Sequence, residues 1–241
     1  MAVNASARTA HHSCARATCA HALWARIAFP CEREHDPLCS SRRFWKNDGS
    51  SLLGQTSHRW HGDKLGPLLI QFPYFNKQAF AEPGDFLRRL ANFLEQLPKD
   101  RAFAVELRNK YWVNDPLLDL LRARNVALAL IDHPWMTPVA QLLAKHDVVT
   151  ANFAYLRWLG DRKGIEEKTQ CWDKIIVDRT REMEAWIPVI RALLRRGINI
   201  LGFFNNHYAG FAPGSIKLFR EMWERLGDSG GVETRSCLAS K

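Results

Sequence analysis

Five short segments, apolar at nearly every position, constrain this chain more than anything else in it: "LLIQF" (68–72), "AFAVEL" (102–107), "VALALI" (126–131), "VVTANFAYLR" (148–157) and "INILGFF" (198–204). A strand with water on one face alternates apolar and polar residues. One that does not alternate needs cover on both faces, as in a parallel sheet flanked by helices. The intervening stretches supply those helices. "DFLRRLANFLEQL" (85–97) puts Phe86, Leu87, Leu90, Phe93, Leu94 and Leu97 on one helical face. Asn114 or Asp115 suits the cap of the next helix, whose first turn holds Pro116. A longer pattern over 175–195 turns Met183, Trp186, Ile187, Ile190, Leu193 and Leu194 inward, with a kink expected at Pro188 and a C-terminal cap at Gly197. The closing helix runs from about Ser215 to Leu226. This alternation predicts an α/β fold. No strand is followed by G-x-G-x-x-G, the dinucleotide fingerprint, so the pattern tilts toward a βα barrel over a doubly wound sheet.

The chain reads as unlike parts. Residues 1–61 show neither helical nor strand periodicity and are rich in Ala, Arg, Ser, Cys and His, so they are expected to be irregular or disordered. The opening, free of acidic residues, superficially resembles a transit peptide, lacks the apolar core of a secretory signal, and also fits a mis-assigned start joined to a genuine domain. Cys14, Cys19, Cys31 and Cys39 lie near His11, His12, His21 and His35, but without the tight paired spacing of a zinc module. Free thiols and the isolated Cys171 and Cys237 fit a reducing, cytoplasmic setting. The domain is expected over 62–227, with 228–241 a flexible tail. No run of about 18 apolar residues suggests a membrane span. The net charge of +9 is spread over both parts, with eight Lys/Arg against four Asp/Glu in residues 1–60. That surplus permits attraction to anions or nucleic acid without a basic block arguing for either.

In parallel α/β folds, ligands meet the carboxyl ends of strands. Those positions carry Gln71; Glu106 with Arg108; Asp132-His133; Arg157; and Asn205-Asn206-His207. Each has a structural alternative. Glu106 and Arg108 alternate along a strand and suit either a site or a salt bridge; Asp132 suits a site or a turn before Pro134. Arg157 is an anion-binding candidate or a partner of Asp161, and one of Asn205 and Asn206 is expected to be architectural. Glu106 and Asp132 are the candidate acid/base pair, with Arg108 and Arg157 holding an anion. A hard divalent metal on Glu106, Asp132, Asn206 and His207 is a rival chemistry without motif-grade spacing, and no cofactor is identified. Trp112, Trp135 and Trp158 suit either a stacking rim or packing.

"KLGPLLIQFP", "AVELRNKYW", "YLRWLGDR" and "FFNNHYAGFAP", in that order, resemble successive motifs of the DUF72, or YecE-like, family over about residues 62–226. The resemblance implies a TIM-barrel fold with no firmly established activity, and polar barrel-mouth positions at Glu106, Arg108, Asp132, Arg157, Asn205 and Asn206. Where many members have His-Gly after the arginine, this chain has Trp158-Leu159-Gly160. Family members begin with a Gly-rich strand and two more βα units, which nothing in residues 1–60 resembles. The expectation is therefore a partial TIM barrel of five parallel strands with outer helices and an irregular segment in place of the N-terminal strands. Such a sheet keeps open edges, which predicts poor solubility or dependence on a partner. Three functional expectations follow: an enzyme using acid/base or hydrolytic chemistry on a small polar or anionic substrate, a nucleic-acid-binding or processing module, or a truncated inactive product.

Overall fold

The computed structural model describes residues 66–227 and the backbone of Trp24–Arg26. The expectations for residues 1–61 and 228–241 otherwise lie outside the described residues. Along the chain run β1 (Trp24–Arg26), β2 (Leu68–Gln71), α1 (Pro83–Glu95), β3 (Phe103–Glu106), α2 (Asp115–Arg122), β4 (Ala127–Asp132), α3 (Val139–Lys145), β5 (Phe153–Trp158), α4 (Arg162–Glu166), α5 (Thr180–Arg195), β6 (Asn199–Phe204), α6 (Asn206–Ala209) and α7 (Ala212–Gly227). The strands form one parallel sheet in strictly sequential order, β1 to β6. A doubly wound sheet reverses its order at a switch point; this one never does, which is the arrangement of a barrel wall. The fold is a partial βα barrel. The five expected strands are present, and the short β1, which the sequence pattern does not reveal, adds a sixth alongside β2.

Side chains sort by parity. Leu68, Ile70, Val105, Leu128, Leu130 and Leu156 pack outward against Phe86, Leu90, Leu117, Leu121, Met183 and Trp186 of the helices. Leu69, Ala104, Ala127, Ala129, Ile131 and Tyr155 form a separate inner cluster. Burial on both faces explains why the strands read as continuous apolar runs. The Asn114 side chain caps α2, accepting from Leu117 N at 3.3 Å, and Pro116 sits where its missing N–H costs nothing. The strand expected from 148 begins at Phe153, because Thr150 ties its segment to β4 by side chain instead. Its Oγ1 accepts from Leu128 N at 2.8 Å and donates to Val126 O at 2.7 Å. The helix expected from 175 begins at Thr180, since Ile176 N and Val177 N both donate to Ala209 O. Pro188 lies inside α5, and Gly197 follows it at φ +74°.

Candidate functional site

At the carboxyl end of β3 the parity that turns Ala104 inward also turns Glu106 and Arg108 inward. Glu106 is fully buried, and its two oxygens face two guanidinium groups. Oε2 accepts from Arg157 Nη1, reaching from β5, and Oε1 lies 2.8 Å from Arg108 Nη2. Of the alternatives for Glu106 and Arg108, the salt bridge is present, and the carboxylate partner of Arg157 is Glu106. Burial pulls the Arg157 guanidinium below its ordinary value, and Glu106 opposes that pull. Beside them Tyr155 stacks on Phe203 at 4.8 Å, its hydroxyl without a hydrogen-bond partner among the described residues. Burial pushes that phenol up to about 12.

Arg108 is only partly covered and lines a cleft of about 860 Å3 over the ends of β2, β3 and β4. Gln71 and His133 also line it; its cations are Lys77, Arg108 and Lys110, and no carboxylate lines it among the described residues. The His133 ring Nδ1 accepts from Trp135 N at 3.2 Å. That bond puts the neutral ring's proton on Nε2. Burial, reinforced by Arg108, holds the imidazole below its ordinary value. The ring is therefore a neutral Nε2–H donor at physiological pH.

Asp132 is not part of this cluster. Ile131 packs inward, so Asp132 turns outward, where Oδ2 accepts from Trp186 Nε1 at 2.9 Å and Tyr208 OH at 3.1 Å. It lines a different cavity of about 300 Å3, together with Arg179 and Glu182, between α3 and α5. Burial raises its carboxyl value, against the two hydrogen bonds. The expected Glu106/Asp132 acid/base pair is thus divided between the two faces of the sheet.

Asn205, Asn206 and His207 line neither cavity. Asn205 caps α6 by accepting from His207 N at 3.0 Å, and Asn206 Oδ1 accepts from Ala212 N at 2.8 Å at the start of α7. His207 sits 2.8 Å from Asn205 Oδ1 through Nδ1 and 3.1 Å from Glu166 through Nε2. Both asparagines are architectural here, where one was expected to be. The four residues of the rival metal reading do not come together, and no group of three His, Cys, Asp or Glu suited to a metal occurs among the described residues. Of the three tryptophans, Trp158 is core, stacked on Phe204 at 4.2 Å; Trp112 packs on Phe75 and Phe86; Trp135 is exposed at the cleft. The cleft residues that strand-end reading misses, Tyr74, Lys77, Lys110 and Tyr111, sit in "FPYFNK" and "RNKYW", loops that directly follow adjacent strands.

Residues 40–235 match the family model described as "Protein of unknown function DUF72". Among solved structures, a DUF72 family protein from Thermotoga maritima is similar at 22% identity and a TM-score of 0.47, over 68% of this chain and 59% of that one. The chain thus spans less than two thirds of that protein's length. No curated protein matches. No helix among the described residues is long and apolar enough to cross a membrane.

Proposed function

The chain belongs to the family of proteins of unknown function DUF72, and from that premise we propose that it binds a small anionic ligand in the 860 Å3 cleft. Arg108 is the principal grip and His133 Nε2–H the proton donor. The observation that carries this reading is one buried carboxylate, Glu106, shared by two arginines. The group carries a net positive charge beside a cleft that is lined by cations and, among the described residues, by no carboxylate. Arg108 uses one nitrogen toward Glu106 and keeps other donors of its planar fork for an anion. Glu106 and Arg157, fully or nearly fully buried, act in this reading as positioning residues that hold Arg108. His133 donates to a ligand oxygen, as a neutral imidazole polarises an oxyanion.

Titration calorimetry with inorganic phosphate tests the reading. Arg108→Ala is expected to weaken binding roughly tenfold to a hundredfold, the effect of losing a charge-assisted hydrogen bond. Unchanged phosphate binding in that variant, or none in the original chain, overturns it.

A further inference from the structure

Six large hydrophobic side chains are exposed among the described residues, and the three most exposed are aromatic: Tyr111 at 81%, Trp135 at 80% and Tyr74 at 70%. All three line the cleft that holds Arg108. They arrive independently, from the loops after β3, β4 and β2. Single exposed hydrophobic residues are ordinary, but three aromatic rings gathered on one concave surface mark a binding site. We propose that the ligand of this cleft is a nucleotide: a phosphate gripped by Arg108, Lys77 and Lys110, carried on a flat ring that stacks on these aromatic side chains. The proposal rests on the anion-binding reading above and adds the ring.

The chemistry of the lining favours a base over a sugar. Sugar sites place carboxylates and amides against hydroxyl groups, and here no carboxylate lines the cleft among the described residues. Two of the lining amides are engaged with the backbone, Asn109 across to the neighbouring loop and Asn76 within its own. Asn109 exchanges hydrogen bonds with the Phe75 backbone at 2.9 and 2.8 Å, and Asn76 accepts from Gln78 N and Ala79 N at 3.0 Å each. Gln71 remains, with a donor and an acceptor that match the edge of a base. Lys110 Nζ lies 4.8 Å from the Tyr111 ring centroid, so a cation and an aromatic face are delivered as one unit. Trp135 meets His133 edge to face at 5.5 Å, which sets a stacking surface beside the Nε2–H donor. A cleft of about 860 Å3 lies within the range of small-ligand sites. The same chemistry belongs to a free nucleotide and to one nucleotide of a single strand, where sequence-tolerant stacking and cationic grooves recur.

The test uses the full chain and four probes by calorimetry: inorganic phosphate, adenosine, adenosine 5′-monophosphate and a single-stranded thymidine oligonucleotide. The monophosphate is expected to bind about tenfold or more tighter than phosphate, as stacking on one ring predicts. Trp135→Ala with Tyr74→Ala is expected to bring the monophosphate down to the affinity of phosphate measured in the same variant. Competition between the oligonucleotide and the monophosphate, lost in the same variant, supports the proposal with a strand as the source. A monophosphate no tighter than phosphate, in a protein that binds phosphate, overturns the ring and leaves the anion site standing. Binding of neither probe overturns both. Oligonucleotide retention that survives the double substitution and disappears with salt is surface charge alone, and overturns the proposal.

Discussion

Glu106 on β3 and Arg157 on β5 are joined by an ion pair that passes over β4, the strand between them. The pairing of Val105 with Leu128 puts Ala129 opposite Glu106, and Ala129 itself pairs with Tyr155, two residues before Arg157. A methyl group at Ala129 leaves the inner face open for the two long side chains to meet. Ala129→Leu is expected to fill that space and destabilise the fold by about 1–3 kcal/mol. Arg157→Met, which takes the buried partner from Glu106 and leaves it Arg108, is expected to cost about 3–5 kcal/mol. Urea denaturation of the two variants measures both, and the larger loss should be in Arg157→Met.

Asp132 should separate charge from hydrogen bonding. Asp132→Ala leaves Trp186 Nε1 and Tyr208 OH without their acceptor and is expected to lose about 1–3 kcal/mol. Asp132→Asn keeps an acceptor oxygen. Because burial raises the folded value of this carboxyl, the folded chain holds the proton more tightly than the unfolded one. Its contribution to stability is full below the ordinary carboxyl value of about 3.9 and declines as pH rises through the raised value. Melting temperatures of the original chain minus Asp132→Asn should therefore fall from acid toward neutral pH.

His133 has the opposite sign. Its folded value is depressed, so between the ordinary value of about 6.5 and that lower value the unfolded chain binds more protons. Stability is lost as pH falls through this window, and His133→Gln should remove that portion of the slope. Long-range proton–nitrogen spectra at about pH 8, above the ordinary imidazole value, should show the Nε2–H tautomer that the Trp135 N–H dictates. An Nδ1–H tautomer would remove the proposed donor.

Gly160 has φ +68°, and a β-carbon there would stand 2.4 Å from His207 O and 2.5 Å from Tyr208 Cα. Both obstacles are backbone. Gly160→Ala is expected to destabilise by about 2–4 kcal/mol through combined strain and crowding, measured by thermal melting with the cleft-side Arg108→Ala as a comparison.

The sequence carries the architecture because two-sided burial writes itself into strands as unbroken apolar runs. Thr150 shows the limit: a hydroxyl can stand in for a ladder bond, so the run from 148 looks like strand before it becomes one at Phe153. The site is less legible. Glu106 and Arg108 are two apart on one strand, so their shared face is plain from alternation. Asp132 closes a strand as Glu106 does, yet Ile131 already occupies the inner phase. Strand-end position alone cannot register that difference of one residue. The meeting of Glu106 with Arg157 depends on the stagger of three strands, which no single segment encodes. Trp158 looks like a rim residue in sequence, but it is outward on β5 and sealed by Phe204 and Trp186. The cleft's lysines and tyrosines lie past the strand ends, where loop geometry decides what faces what.

The segment after β4 has a geometric consequence. Asp132 and His133 are neighbours in the chain, and His133, Pro134 and Met136 line both the larger cleft and the smaller cavity. These residues are a party wall. The backbone that presents the His133 imidazole to the cationic chamber presents the Asp132 carboxylate to the other, so one short segment shapes both.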